Sequence, residues 1–249
     1  MAHRKATAAW VCDVLDEEYG TLAWRPHGEP LETLVQTILS QATSDVNSGR
    51  AFDSLRRAFP GGWDDVRTAD VHEIANAIRC GGLAEAKAPR IQAVLQAIYE
   101  PTGQTDLTFL KTTPTDEAKV FLSSFPGVGP KTTACVLMFS LGRPVLPVDT
   151  HVFRVSSRLG LIDAKIGEAK AHDALQVQLQ EEEVYPFHVH LIRHGRRVCQ
   201  AQQPHCEGCV LASRCRYRQE GGKMTRKSVS LKSIKTLHGL KENKGEGSN

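Results

Sequence analysis

The chain has 249 residues, 41% of them apolar and 24% charged, with 31 Lys or Arg against 28 Asp or Glu for a net charge of +3. That length and balance suit a soluble globular protein of one large or two modest domains. They exclude a membrane-crossing helix, because no apolar run reaches the roughly eighteen residues one requires.

In chain order, the first apolar stretch, Ala8 to Val11, ends at Asp13 and is too short for a secretory leader. Leu31, Leu34, Val35, Ile38 and Leu39 recur at three- and four-residue steps, which predicts an amphipathic helix ending near Gln41. A helical pattern covers 46–59. Ile91, Val94, Leu95 and Ile98 mark another helix, with Pro89 in its opening turn. Asp116 and Glu117 suit the first turn of a helix running to Ser124. Ala134 to Leu141 is apolar nearly all round and is followed by Gly142, which reads as a buried central helix. Pro144-Val145-Leu146-Pro147 is bounded by prolines and reads as a loop. Helical patterns return at 149–159, 168–180 and 187–197. No alternating segment makes a convincing strand, so the expected class is all-α.

From Arg216 onward, nine Lys or Arg stand against three Glu, so this end carries +6 and the body −3. From Gly221 the chain is rich in Gly, Lys, Ser and Asn and is expected to be a flexible basic tail that could touch polyanions.

Three local patterns carry chemistry. Between the helix running to Ser124 and the central helix lies Phe125-Pro126-Gly127-Val128-Gly129-Pro130-Lys131-Thr132. Two glycines around one apolar residue let the chain turn sharply, tuck Val128 inward and present bare N–H groups where the next helix begins. Such groups form a sequence-independent phosphate seat, the design of a helix–hairpin–helix DNA motif. Lys131 is either a nucleophilic amine or a solvated first-turn lysine. Asp149, in Val148-Asp149-Thr150-His151-Val152-Phe153-Arg154, is either a helix N-cap or a carboxylate held toward a cleft.

The third pattern is Cys199, Cys206, Cys209 and Cys215, spaced C-x6-C-x2-C-x5-C. Four thiols within seventeen residues predict a metal or cluster site. One C-x2-C pair with distant flanking cysteines suits a four-iron, four-sulfur cluster better than a single zinc, which stays an alternative with disulfides. Cys12, Cys80 and Cys135 sit among apolar residues and are expected in the core. The compartment is expected to be reducing and intracellular.

With Leu-Ser-Gln-Ala-Thr at 39–43 and Gly-Gly-Leu at 81–83, these patterns stand in the order of the endonuclease III family of helix–hairpin–helix DNA glycosylases, which the chain resembles over residues 25–217. The resemblance implies a six-helix barrel over 22–143 and an iron–sulfur lobe from 1–21 plus 144–220, with the tail at 221–249. It implies one 4Fe-4S cluster on the four cysteines, Lys131 as nucleophile and Asp149 as essential carboxylate. It gives Gln41 the gap left in the duplex and Leu83 a wedge beside the orphaned base, where a polar helix end and a core leucine are the alternatives. Gly127, Val128, Gly129, Thr132 and His151 would face DNA. Pro130 departs from the basic residue the family often carries there, which removes one phosphate contact.

The implied activity is a bifunctional glycosylase and AP lyase acting on oxidised pyrimidines in base excision repair. Its partner would be double-stranded DNA with a damaged base or abasic site, and the protein would be monomeric, off the membrane and cytoplasmic, nucleoid-associated in the prokaryotic manner. A glycosylase for alkylated or mismatched bases, and a non-catalytic iron–sulfur DNA-binding protein, are the alternatives.

Overall fold

The computed structural model describes residues 4–222, and most of the expected basic tail lies outside them. Twelve α-helices, with short 3-10 and π turns, make up the regular structure among the described residues, with no strand. They are α1 (Ala8–Tyr19), α2 (Pro30–Ser40), α3 (Asp45–Ala58), α4 (Trp63–Thr68), α5 (Val71–Ala77), α6 (Ala84–Thr102), α7 (Thr115–Ser123), α8 (Pro130–Cys135), α9 (Thr150–Leu159), α10 (Gly167–Gln176), α11 (Val184–Arg197) and α12 (Arg216–Gln219). None is long and apolar enough to cross a membrane.

Two apolar cores organise these helices. The first gathers side chains from Leu31 to Leu137. The second takes Ala8, Val11, Cys12 and Leu15 of α1 together with residues from Met138 to Leu211. The N-terminal helix therefore packs with the C-terminal half. Asp16 accepts from His190 Nε2 at 2.9 Å, and the Tyr19 hydroxyl meets His194 Nδ1 at 3.0 Å.

The chain passes from one core to the other inside a single element. Helix α8 does not stop at Cys135 but widens into a π-turn over Val136–Ser140, so the segment beginning at Pro130 is one continuous helical rod. Leu137 belongs to the first core and Met138 to the second. Residues 20–29 cross this turn and bind its carbonyls: Trp24 Nε1 donates to Met138 O at 2.7 Å, and the His27 amide to Phe139 O at 3.1 Å.

Two expectations need correction. Helix α6 opens at Ala84, so Pro89 stands in its second turn rather than its first. Leu83 takes a left-handed conformation and its carbonyl receives the Ala86 and Lys87 amides, which starts the helix early. The carbonyl that Pro89 leaves without a helical donor is that of Glu85, an exposed residue. Cys80 is exposed, unlike buried Cys12 and Cys135. The Arg79–Gly81 turn points Gly81 inward so tightly that a Cβ there would lie 2.8 Å from the Ala51 methyl, and this turns Cys80 out.

His188 of α11 is buried at 2% exposure between the Phe139 ring edge and the Pro147 carbonyl, which its Nδ1 meets at 2.8 Å. Burial drives its pKa from 6.5 down to about 4, against the opposing pull of Asp149. Between those values the unfolded chain binds a proton that the folded chain refuses, so stability present above pH 6.5 is lost as pH falls towards 4. Each pH unit in that window removes about 1.4 kcal/mol. Urea midpoints of the wild type should fall across this range, and His188→Gln should flatten the slope by about one proton; equal slopes would refute the assignment.

Candidate functional site

A cavity of about 810 Å³ opens where the two cores meet. Its walls include Gln41 and Ala42 after α2, Gly127 and Gly129 of the hairpin, Lys131 and Thr132 of α8, and Asp149 and His151 at the start of α9. Lys131 and Asp149, eighteen residues apart in sequence, thus face one space.

The hairpin forms for a local reason. Phe125 O accepts the Val128 amide at 3.1 Å, and Val128 is 5% exposed, so it anchors the turn in the first core instead of facing DNA as expected. Gly127 has φ +75, and a Cβ there would sit 2.6 Å from Arg90 Nε. Gly129 has an ordinary φ of −93 and open space where a Cβ would go, so nothing inside the protein requires its glycine. Thr132 is only 4% exposed, so what it can offer at the surface is a first-turn amide rather than its hydroxyl.

Asp149 is the N-cap of α9, its Oδ1 accepting the Val152 amide at 2.7 Å. It is also a wall of the cavity, so the cap and cleft alternatives are both realised by one carboxylate. The loop before it is held by neighbouring side chains. Gln176 accepts the Leu146 amide at 2.7 Å, His172 Nδ1 meets Leu146 O at 3.0 Å, and His188 meets Pro147 O. Cys135, one helical turn beyond Lys131, is buried, and burial raises its thiol pKa despite the lysine charge beside it.

His151 lines the cavity, but its Nδ1 meets Arg154 Nη2 at 3.0 Å, and burial lowers its pKa. Arg154 turns away from the cleft, donating to Gly195 O at 2.9 Å and Cys199 O at 3.0 Å. Across the mouth, Arg196 of α11 pairs with Asp45 of α3 at 2.8 Å. Gln41 is half-buried and accepts from Arg90 Nη1 at 2.7 Å. Leu83 is 60% exposed, which rules out the core reading.

Sequence reasoning missed Arg90, His172, His188 and Arg196, whose positions carry no local signal. It also missed Arg158, although that residue follows Arg154 by one helical turn. Arg158 is 7% exposed and donates to Gln200 O at 2.6 Å, Ala201 O at 2.8 Å and Cys199 Sγ at 3.3 Å.

The four cysteines are half-buried, and Cys199, Cys209 and Cys215 pack against the second core. Among the described residues no three Cys, His, Asp or Glu are gathered as ligands of one metal ion. Burial, then the neighbouring thiols Cys199, Cys215 and Cys206, push Cys209 up to about 11. The thiols act on one another electrostatically and a buried guanidinium donates to the Cys199 sulfur, and thiolate chemistry of this kind fits an iron–sulfur group.

Comparison with known proteins gives the family. A family model described as HhH-GPD superfamily base excision DNA repair protein matches residues 35–181. A putative DNA glycosylase of Arabidopsis thaliana is 42% identical over 67% of this chain and 56% of its own. The chain thus spans little more than half of that relative, and the match to DEMETER-like protein 2 of the same plant, at 33% identity, covers 13% of its length. Endonuclease III of Thermotoga maritima is 31% identical over 78% of this chain and 86% of its own. The solved structure of a trapped endonuclease III–DNA covalent intermediate, an estranged-adenine complex, superposes with a TM-score of 0.74 at 27% identity, covering 88% of this chain and all of that one. The chain belongs to the HhH-GPD superfamily of base excision DNA repair proteins and, within it, to the endonuclease III family.

The two hairpin glycines should separate in their effects. Gly127→Ala should cost about 1–3 kcal/mol, since it combines a left-handed φ with a clash. Gly129→Ala should shift the urea midpoint by less than about 0.5 kcal/mol yet weaken binding to duplex DNA, because its methyl would stand before the bare amides. Unchanged DNA affinity in Gly129→Ala would remove the hairpin from the DNA-facing surface.

Proposed function

We propose that this member of the endonuclease III family is a bifunctional DNA glycosylase and AP lyase that removes oxidised pyrimidines during base excision repair. The observation that carries this reading is the shared cavity of Lys131 and Asp149, an amine and a carboxylate at the starts of two buried helices. Its support is the 27% identical endonuclease III whose solved structure is a trapped covalent intermediate with DNA.

In this reading duplex DNA lies across the cleft and the damaged nucleotide leaves the stack for the cavity, at a cost of a few kcal/mol. Gly129 and the first-turn amides of α8 seat the backbone phosphate without reading sequence. Lys131 Nζ, as the free amine, attacks C1′ while the C1′–N bond breaks and its electron pair leaves with the base, which gains a proton. Asp149, still charged, stabilises the cationic sugar in that transition state. Opening of the sugar gives an imine between C1′ and Lys131, which acidifies the C2′ proton. Loss of that proton expels the 3′ phosphate with the C3′–O electrons, and water then releases the amine. Damaged cytosine or thymine, rather than an alkylated or mismatched base, is the substrate class; a matched series of single-lesion duplexes decides between these.

Cys199, Cys206, Cys209 and Cys215 would hold one 4Fe-4S cluster. When bound, it supplies a closed, organised loop at the end of the second core rather than a step of the reaction. Arg158 and Arg154 fix the carbonyls of that loop. Purified protein should contain about four irons per chain, and one zinc in their place would overturn the assignment.

Borohydride should trap wild-type protein on DNA carrying an abasic site or an oxidised pyrimidine. Lys131→Gln should abolish trapping and strand cleavage while DNA affinity stays within about tenfold, or 1.4 kcal/mol. Asp149→Asn should slow excision by about 10² or more at similar affinity. An adduct formed by Lys131→Gln would show that another amine does the chemistry.

A further inference from the structure

A second lysine is buried near the site and has no part in that chemistry. Lys87 of α6 is 3% exposed, and its Nζ donates to Leu39 O at 2.6 Å and Gly81 O at 3.1 Å. Both partners are carbonyls, so its charge is hydrogen-bonded without being neutralised there, and burial pulls its pKa below the ordinary lysine value. Removing a charge from water in this way opposes folding, which calls for a compensating role.

That role is indicated by what the two carbonyls precede. Leu39 comes just before Gln41 and Ala42; Gly81 comes just before Leu83. Ala42 at φ 54 and Leu83 at φ 52 are the two non-glycine residues with positive φ among the described residues. Each such conformation costs about 1–3 kcal/mol and persists only where its surroundings impose it. One amine therefore ties together the backbones that enter both strained positions. Three residues further along α6, Arg90 holds the Gln41 side chain. Helix α6 thereby fixes a polar side chain on the cavity wall and an exposed apolar one on a rigid turn, and an exposed leucine so held has the form of a wedge that parts stacked bases.

We propose that Lys87 is a positioning residue that sets the spacing between Gln41 and Leu83, so that it governs how readily a base leaves a paired duplex without touching the reacting atoms. This rests on the glycosylase and lyase reading above.

The test compares one oxidised pyrimidine in two settings: in a fully paired duplex, and in an unpaired bubble where the base is already unstacked. Lys87→Met keeps the length and removes the donors. Its single-turnover excision should fall about tenfold or more on the paired substrate, equivalent to about 1.4 kcal/mol of barrier, and by less than about threefold on the bubble. On the paired substrate, Lys87→Met combined with Leu83→Ala should be no slower than the slower single variant, because both act on one step. Equal loss on the two substrates, as a merely structural lysine would give, overturns the proposal, as does no loss on the paired one. If Lys87→Met does not fold, Lys87→Gln, which keeps two donors on a shorter chain, is read by the same ratio: a selective loss on paired DNA supports the proposal, and an equal loss or none overturns it. If the wild type excises neither substrate, the enzymatic reading fails instead. The wedge is then read from 2-aminopurine fluorescence beside the lesion, which should rise when wild type binds paired DNA and stay flat with Lys87→Met; equal responses overturn the proposal.

Discussion

The burial of the rod from Pro130 to Ser140 is the constraint on which the rest of the structure depends. Thr132, Thr133, Ala134, Cys135, Val136, Leu137, Met138 and Ser140 are all buried. A helix that is apolar all round must be covered on every side, and one layer of helices cannot cover it. The first core takes Val136 and Leu137 and the second takes Met138, so the helix becomes a wall they share. Its N-terminal residues Pro130, Lys131 and Thr132 line the cavity. The π-turn is where the rod passes between cores, and irregular turns of this kind often occur at functional sites.

Cations that bind backbone carbonyls, more than ion pairs, hold the ends of helices and the loops between them. Lys87 binds Leu39 and Gly81, Arg143 binds Leu110 and Thr113, Arg154 binds Gly195 and Cys199, and Arg158 binds Gln200 and Ala201. A buried loop carbonyl lacks a ladder partner, and leaving it without a donor is costly. A guanidinium, with five donors in a fixed fork, satisfies several at once. The ion pair over the cavity, Arg196–Asp45, is between exposed groups and contributes little to stability. Its place is better suited to yielding when a phosphate backbone approaches.

Helix α9 ties the two chemical regions to one rigid body. Its first residues bring Asp149 and His151 to the cavity, and two arginines on its following turns grip the loop of Cys199. Misplacing that loop would move the end of α9 and, with it, the cap that fixes Asp149. In the proposed reading this is how a cluster that takes no part in bond breaking still bears on catalysis.

The sequence alone determined whatever is encoded locally. Helical periodicity, the Gly-Val-Gly turn with its inward valine and the loop between prolines each need only a few neighbouring residues, and each is found in the structure. The short helices α4 and α5 and the early start of α6 were not legible, because a single exposed residue in a left-handed conformation, Leu83, sets that start. Only the tertiary structure decided that Lys131 and Asp149 share a cavity, that Leu83 and Cys80 face water, and that Lys87, Arg90, Arg158 and His188 hold the loops. These outcomes depend on contacts between residues tens of positions apart. Periodicity records which face of an element is apolar, but it cannot record which carbonyl, on which other element, a buried cation will meet.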